Sequence, residues 1–303
     1  MLRKTAAVSV IMPAYNAANS IETSLLSILH QTLLPREVIV IDDGSSDETA
    51  NIVDKTALQF KGVTVILRRQ QNKGAGAARN VGLIHASQPY IAFLDADDTW
   101  TPEKLERSLT IMEQDDYALV AHDYIDIRSD KEVHIDCVKG FRSGTDPYVQ
   151  LYLKGYIASI SVIVKRDAIL TAGGFDESLR NAQDFDMWLA ILRDPRHKFT
   201  VFNEPLARYS HTPGSIMSHT DRRIACCTKI ALRYLPAIKA RNQSAWKNLW
   251  LRMFFIYYEA SYGMPIRRMR YIIRFICALF LVSWRAFFCL LEPRKPIGSI
   301  SND

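Results

Sequence analysis

Residues 90–100 read YIAFLDADDTW. Mainly apolar residues typical of a buried strand are followed at once by three carboxylates, Asp95, Asp97 and Asp98. Carboxylates this close raise one another's pKa unless a cation offsets their charge. The stretch therefore predicts a divalent-cation site at the end of a strand, or alternatively a turn whose acids cap the helix that follows.

Short β-branched and apolar runs alternate with helical patterns in the N-terminal part of the chain. The runs are residues 7–12, 37–41, 63–67 and 90–94. This alternation predicts an α/β fold with a mostly parallel sheet and helices on both of its faces. Ligands of such sheets bind outside the carboxyl ends of the strands, so we expect the residues after each strand to line one cleft.

The loop after the third run, NKGAGAAR, indicates a phosphate or nucleotide contact. Its small residues expose backbone N–H groups, and Lys73 and Arg79 add positive charge. The alternative is an ordinary helix N-terminus with a solvated arginine. A dinucleotide-binding fingerprint is disfavoured, because that motif follows the first strand of its fold and this loop has Arg79 in place of the last glycine.

Composition excludes several classes of protein. The chain has 303 residues, of which 48% are hydrophobic, and this is ample for a packed core. The five cysteines are odd in number and form no C-x-x-C pair, which argues against a disulfide framework and a zinc site and favours a reducing, cytosolic setting. The N-terminus lacks the pattern of a secretory signal, and we expect none.

Positive charge is concentrated in the C-terminal part, which we predict to be a basic helical extension, residues 221–303, after a catalytic domain of residues 1–220. The extension holds 15 Lys and Arg against 4 Asp and Glu, a net charge of +11, whereas the whole chain carries +6 and residues 1–220 therefore −5. This imbalance suggests an anionic partner. No nucleic-acid-binding motif accompanies the charge, so we expect no nucleic acid.

Residues 246–291 are predicted to contact an anionic membrane surface. A long helix is expected at 266–291, where the longest uncharged run, ten residues, is too short to span a bilayer, which takes about 20. Arg267, Arg274 and Arg285 would share one face of it, as in an interfacial helix. The alternatives are that these helices pack on the catalytic domain or form a homodimer contact.

Six motifs together resemble the family 2 nucleotide-sugar glycosyltransferases, over about residues 7–215. They are VSVIMPAYNA (8–17), VIVIDDGSSD (38–47), NKGAGAARNVG (72–82), FLDADD (93–98), GGFDESL (173–179) and QDFDMWL (183–189). The resemblance implies a GT-A fold, which is a Rossmann-like mixed, mostly parallel sheet. It also implies an enzyme that transfers a sugar with inversion from a nucleotide sugar, here expected to be a UDP-hexose.

The resemblance assigns the nucleotide site residue by residue. Asp42 or Asp43 would accept a hydrogen bond from the base, and Arg79, with Lys73 nearby, would contact the nucleotide. The nucleoside pocket would be lined by Pro13, Ala14 and Tyr15.

Asp95 and Asp97 match the D-x-D motif of the family. In this motif the last aspartate binds Mn²⁺ or Mg²⁺ and the first lies near the ribose or the sugar. His211, in ARYSHTPGSIM, matches a downstream position that can approach the metal, although a lone histidine is more often structural. We therefore expect Asp97, Asp95 and, secondarily, His211 at the metal.

The catalytic base implied by the resemblance is Asp184, with Asp186 as the alternate. The usual Glu-Asp pair of the family is Gln183-Asp184 here, which keeps the proton acceptor but changes its neighbour. The expected acceptor is a lipid-linked saccharide of polysaccharide or glycoconjugate assembly, and the expected location is the cytoplasmic face of the inner membrane. The alternative is a membrane-surface scaffold that binds nucleotide without transferring sugar.

Overall fold

A computed structural model of the chain describes residues 4–128, 131–141, 146–155, 157–211, 220–241, 244–261 and 268–291. The strands are β1 (Thr5–Ala14), β2 (Leu34–Asp42), β3 (Thr64–Arg69), β4 (Tyr90–Phe93), β5 (Thr99–Trp100), β6 (Leu119–Arg128), β7 (Lys131–Ile135), β8 (Ile163–Lys165) and β9 (Phe199–Ser210). The helices are α1 (Ile21–Leu29), α2 (Thr49–Ala57), α3 (Ala75–His85), α4 (Lys104–Gln114), α5 (Pro147–Lys154), α6 (Arg166–Ala172), α7 (Gln183–Ile191), α8 (Thr220–Ala240), α9 (Ala245–Ser261) and α10 (Arg268–Leu291).

The strands form one sheet in the order β3-β2-β1-β4-β8-β6-β9-β5, with β7 paired to β6. β3, β2, β1 and β4 are parallel, as expected for strands that helices connect. β8 pairs antiparallel with both β4 and β6, whereas β6 and β9 are parallel. The predicted α/β class with a mixed sheet is confirmed, and the carboxyl ends of β1, β2 and β4 lie at one edge.

Each face of the sheet is covered by its own hydrophobic cluster. Along β1, Val10 and Met12 are fully buried in one cluster and Ile11, between them, in the other. This period of two is that of a strand with helices on both faces. β1 is therefore central, and its end points into the cleft between the helical layers.

The first two helices of the C-terminal extension pack on the catalytic core. The hydroxyl of Tyr152 in α5 donates to the carbonyl of Ala231 in α8, at 3.0 Å. In α9, the guanidinium of Arg252 donates to the carbonyl of Leu153, at 2.9 Å. The apolar residues of α8 and α9 belong to the same cluster as those of α7. Of the alternatives predicted for residues 246–291, packing on the catalytic domain holds for α9, and α8, which precedes these residues, packs there as well.

Arg274 and Arg285 of α10 line a cavity beside α8, unlike the arginines of the interfacial helix that the sequence predicts. Arg274 forms an ion pair of 2.6 Å with Asp221 of α8, and Arg285 lines a cavity with the same aspartate. Arg267 lies outside the described residues. The side exposed to solvent is apolar instead, with Ile272, Ile273, Ile276, Leu281, Trp284 and Phe287. None of the described helices is long and apolar enough to cross a bilayer.

Gly82 lets α3 approach β1 closely, because a Cβ atom there would lie 2.5 Å from Cγ2 of Ile11. We expect Gly82→Ala to destabilise the protein by about 1–3 kcal/mol through overpacking, although alanine is the better helix former. The matched control is Gly76→Ala in the same helix, where the nearest atom would be Nε2 of Gln183 at 3.4 Å. Urea denaturation measures both. A Gly82→Ala variant as stable as Gly76→Ala would contradict this close packing.

Candidate active site

The loops that follow β1 and β2 are tied to each other by side-chain to backbone hydrogen bonds. The backbone N–H of Asn16 donates to Oγ of Ser45, at 2.9 Å, and the side-chain oxygen of Asn16 accepts from the N–H of Ser46, at 2.9 Å. Between them the backbone N–H of Asp43 donates to the carbonyl of Ala14. Pro13 and Ala14 are buried where these two loops meet. The two loops thus form one wall of the cleft.

Tyr15 is the exposed member of the nucleoside-pocket residues that the family resemblance implies. Its side chain is 54% exposed at the end of β1, so its ring is accessible to a base. An aromatic ring presented in this way suits stacking against a planar heterocycle.

Asp42 and Asp43 are both buried and both bonded within the protein. Asp42 accepts from the N–H of Ser45 and pairs with Arg69 at 2.9 Å. Asp43 accepts from the backbone N–H groups of Lys73 and Gly74, at 2.9 and 2.8 Å. Asp43 therefore fixes the loop before α3, whereas Asp42 holds the turn after β2.

α3 brings a buried cation to the D-x-D segment. Gly74 precedes the helix with φ of 94°, a left-handed value that favours glycine, and this turns the chain back toward the sheet. Arg79, 5% exposed, then donates from Nη2 to Oδ1 of Asp95, at 2.6 Å. The structure thus joins the loop after β3 to the loop after β4, as the two motifs predict. The side chain of Lys73 remains exposed at the rim.

The three aspartates after β4 differ in their surroundings. Asp95 and Asp97 are partly exposed, whereas Asp98 is 1% exposed and accepts a hydrogen bond from the backbone N–H of Ser210. Burial first, and then the charges of Asp95 and Asp97, raise the pKa of Asp98 well above its usual range. Asp98 is therefore a structural link to β9, and Asp95 and Asp97 are the carboxylates that face the cleft.

Tyr209 of β9 shows how much negative charge this region holds. Burial raises the pKa of its hydroxyl, and the aspartates at 98, 95, 97 and 184 raise it further. Arg79 offsets part of that charge through its bond to Asp95. The negative charge of the cleft would thus stabilise a bound cation or a cationic transition state.

Asp184 and Asp186 lie at the start of α7 and serve different neighbours. Burial raises the pKa of Asp184, Arg79 opposes this, and Asp95 raises it further, so Asp184 lies close to the Arg79–Asp95 pair. Asp186 is 3% exposed and accepts from Arg233 of α8, at 2.7 Å. Of the two candidate bases, Asp184 is the one that faces the D-x-D segment.

Gln183 has a structural role that explains its departure from the family pattern. Its amide donates to the carbonyl of Leu179, at 2.7 Å, and its side chain packs against Gly76 of α3. A carboxylate could not donate that bond. The glutamine therefore joins α7 to α3 without contacting the bases or acids of the cleft.

Sequence reasoning overlooked Asn80, which holds the GGFDESL loop to α3. Its side-chain oxygen accepts from the N–H of Phe175, and its amide donates to the carbonyl of the same residue and to Glu177. A polar residue one position after Arg79 on a helix that otherwise buries small side chains is the signal that could have identified it. Arg180, also overlooked, lies beside Gly74, where a Cβ atom would be 3.6 Å from its Nη1.

His211 does not contact the D-x-D carboxylates. Its Nε2 lies 2.6 Å from Oδ1 of Asp126 in β6, and its ring packs edge-on against Tyr209. The next residues, 212–219, lie outside the described part of the chain. A metal-ligand role for His211 would fall to its Nδ1 as long as Nε2 stays bonded to Asp126.

The carboxylates suit a hard divalent cation with few protein ligands. Among the described residues, no group of three or more His, Cys, Asp or Glu side chains is arranged to hold a metal. Mg²⁺ and Mn²⁺ are hard cations, and Mg²⁺ often takes only one or two carboxylates and fills its remaining positions with water and substrate phosphates. The excess negative charge around Asp95 and Asp97, which raises the pKa of both Asp98 and Tyr209, fits such an ion.

Several known proteins have sequences similar to that of this chain. The chain matches the model of Glycosyl transferase family 2 over residues 9–166. It is 34% identical over 218 residues to UDP-Glc:alpha-D-GlcNAc-diphosphoundecaprenol beta-1,3-glucosyltransferase WfgD of Escherichia coli, covering 72% of this chain and 82% of that protein. It is 29% identical over 270 residues to amylovoran biosynthesis glycosyltransferase AmsB of Erwinia amylovora, covering 86% and 83%.

Solved structures share the fold. TarS 1-349 of S. aureus in complex with UDP-GlcNAc aligns with a TM-score of 0.66 at 17% identity, covering 93% of this chain and 89% of that one. Mannosyltransferase PcManGT of Pyrobaculum calidifontis, in complex with GDP-Man and Mn²⁺, gives 0.62 at 16%, covering 95% and 88%. The chain therefore belongs to glycosyl transferase family 2 and is a glycosyltransferase of GT-A fold that acts on nucleotide sugars.

Proposed function

We propose that the protein transfers a hexose with inversion from a UDP-sugar to a hydroxyl group of a lipid-linked saccharide, with the aid of Mn²⁺ or Mg²⁺. The observation that carries the proposal is that Asp184, at the start of α7, is within the electrostatic influence of Arg79, whose guanidinium bonds to Asp95 at 2.6 Å. One carboxylate that can take a proton thus faces the segment assigned to the donor diphosphate. A single base on one side and a leaving group on the other is the arrangement for direct displacement.

Each residue has a separate task in this reaction. Tyr15 stacks on the base, one of Asp42 and Asp43 accepts a hydrogen bond from it, and Arg79 holds Asp95 in place beside the donor. Asp184 accepts the proton of the acceptor hydroxyl as its oxygen attacks the anomeric carbon, and this displaces UDP and inverts that carbon. Asp97 and Asp95 would hold a divalent cation, which would neutralise the charge on the diphosphate leaving group.

The environment of Asp184 supports its role as the base. Burial raises the pKa of its carboxyl, although Arg79 opposes the rise, so the group is a stronger proton acceptor than an exposed aspartate. Gln183 binds Leu179 and leaves this carboxylate available, which weakens the case for a scaffold that only binds nucleotide.

The acceptor class is inferred from the relatives. WfgD is named for transfer to a GlcNAc-diphosphoundecaprenol, a saccharide on a polyprenyl diphosphate, and AmsB for biosynthesis of the polysaccharide amylovoran. A lipid-linked acceptor requires an enzyme that works at a membrane surface. The catalytic domain, residues 1–220, would then act beside the membrane, with the C-terminal extension as the surface that contacts it.

We infer that the exposed apolar face of α9 and α10 contacts the cytoplasmic leaflet of an anionic membrane. In α9, a stripe at every fourth position is exposed, comprising Trp246, Trp250, Phe254 and Tyr258. α10 adds its apolar residues, among them Ile273 and Trp284, which are 55% and 70% exposed. Exposed apolar patches of this kind mark protein or membrane contacts, and the net charge of +11 after residue 220 selects anionic lipid.

Replacement of the base tests the reaction. We expect Asp184→Asn to lower kcat by about 10²- to 10⁴-fold with UDP affinity nearly unchanged, because only the proton acceptor is lost. The matched variant is Asp186→Asn, which replaces the neighbouring buried aspartate that pairs with Arg233 and should keep most turnover. Steady-state kinetics with a GlcNAc-diphospholipid acceptor measures both. Full activity in Asp184→Asn, or a larger loss in Asp186→Asn, would reject Asp184 as the base.

Calorimetry tests the cation site without turnover. We expect UDP to bind more tightly in the presence of Mn²⁺, and Asp97→Asn to remove that gain, because one hard oxygen ligand is lost. Asp54→Asn is the control, since Asp54 is exposed on α2 and its replacement makes the same change of charge. An equal Mn²⁺ effect in wild type and Asp97→Asn would exclude Asp97 as a ligand.

Vesicle sedimentation tests the membrane surface. We expect Ile273→Glu with Trp284→Glu to weaken partitioning onto phosphatidylglycerol vesicles at least tenfold, since burial of each side chain contributes about 1.5–3 kcal/mol. Leu58→Glu with Ile84→Glu is the control, because these residues are also more than half exposed but lie on the catalytic domain. Equal binding of all three proteins would contradict the inference. Sedimentation without lipid would reveal instead a second copy of the chain on this face.

A further inference from the structure

A cavity of about 550 Å³ between α8, α9 and α10 is lined by cations. Lys229 and Arg233 come from α8, and Arg274 and Arg285 come from α10. The acid in the lining is Asp221, which pairs with Arg274. Four cations against one carboxylate give the walls an excess of positive charge, and a cavity of one sign attracts ligands of the other.

Internal ion pairs use only part of this charge. Arg233 is held by Asp176 and Asp186, and Lys229, half exposed, donates to the hydroxyl of Ser178 at 2.8 Å and pairs with Asp176 at 3.7 Å. Arg285 is exposed and forms no ion pair with any residue that the structure describes. Of the four cations, Arg285 is therefore the one that no described carboxylate pairs with, and a guanidinium group can bind phosphate oxygens in pairs.

Arg233 connects this cavity to the catalytic cleft. Its guanidinium bonds to Asp186, which lies two residues from Asp184 on α7, and to Asp176 of the 173–179 loop. That loop is held in turn by Asn80, the neighbour of Arg79. Asp184 and Asp186 are two positions apart at the start of α7 and point to different sides of it, so an acceptor whose hydroxyl lies at Asp184 would reach the cavity around the first turn of this helix.

The outer wall of the cavity is the helix that carries the exposed apolar face. α10 contributes Arg274 and Arg285 to the lining of the cavity, and Ile273 and Trp284, each next to one of these arginines in the chain, are exposed. A charged group in the cavity would thus be one helix width from a surface suited to acyl or prenyl chains. A lipid whose headgroup is a phosphate anion fits this juxtaposition.

We propose that the cavity lined by Lys229, Arg233, Arg274 and Arg285 binds the diphosphate of a polyprenyl-diphosphate-linked saccharide acceptor and so places its sugar at Asp184. The proposal rests on the function proposed above. The lipid chain leaves the cavity past α10 into the membrane. The same phosphate chemistry could come from a phospholipid headgroup, and the experiment separates the two sources.

Direct binding is measured by calorimetry on the full chain with farnesyl diphosphate, in the presence of saturating UDP so that the donor site is filled. We expect farnesyl diphosphate to bind and farnesol not to bind. Lys229→Gln with Arg285→Gln should weaken that binding about tenfold or more, because charge-assisted hydrogen bonds are lost. The control, Lys239→Gln with Lys247→Gln, removes two exposed cations of α8 and α9 that do not line the cavity, and should bind as wild type does.

Steady-state kinetics distinguishes a role of the cavity residues in acceptor binding from a merely structural one. With a short-chain GlcNAc-diphospholipid as acceptor and saturating donor, the cavity double variant should raise KM about tenfold while kcat stays within roughly twofold. The affinity for UDP, measured on every variant, monitors folding and the donor site. A fall in kcat with KM unchanged would overturn the proposal.

The remaining outcomes separate this proposal from the function on which it rests. If UDP binds but farnesyl diphosphate does not, the cavity assignment is wrong and the proposed reaction stands. If UDP itself does not bind, the donor site is wrong, whatever the cavity titration gives. If the cavity double variant loses phosphatidylglycerol vesicle binding as strongly as farnesyl diphosphate binding, the cavity serves phospholipid headgroups, which overturns its assignment to the acceptor.

Discussion

The bond between Arg79 and Asp95 is the interaction on which the arrangement of the cleft depends. It links α3 to the end of β4, and the guanidinium is the buried cation among the carboxylates at 95, 97, 98 and 184. A buried charge is stable only when it is paired, so each partner keeps the other in place. Because Gly82 lets α3 lie directly on β1, the position of Arg79 is also fixed relative to the sheet.

α3 organises the acceptor side of the cleft as well as the donor side. Asn80 holds the 173–179 loop, and Gln183, at the start of α7, packs against Gly76. The loop and α7 carry Asp176 and Asp186, which meet Arg233 of α8. A continuous set of polar contacts therefore runs from the end of β4 to the C-terminal helices. The extension is in this sense part of the enzyme and not an appended anchor.

The C-terminal helices separate charge from apolar surface in an unusual way. Soluble helices normally turn their apolar residues inward and their cations outward. α10 places Arg274 against Asp221 and exposes isoleucine and tryptophan instead. Exposure of these apolar side chains to water costs free energy, and that cost is removed if the face lies on lipid. The cations on the protein side of the same helix can then bind anionic groups.

The sequence by itself determined the fold class, the loops that meet at the cleft and the family, because strand and helix periods are local and the family motifs are contiguous. Through the family resemblance it also predicted the D-x-D pair and ranked Asp184 above Asp186, but it could not tell which neighbours either aspartate has, since both open one helix. Tertiary contacts decided that: one faces Arg79 and the other Arg233. They also assigned Asp98 to β9, His211 to Asp126 and Asn80 to the 173–179 loop. Each of these contacts joins residues far apart in the chain, and helical periodicity alone does not tell which face of α10 meets the protein.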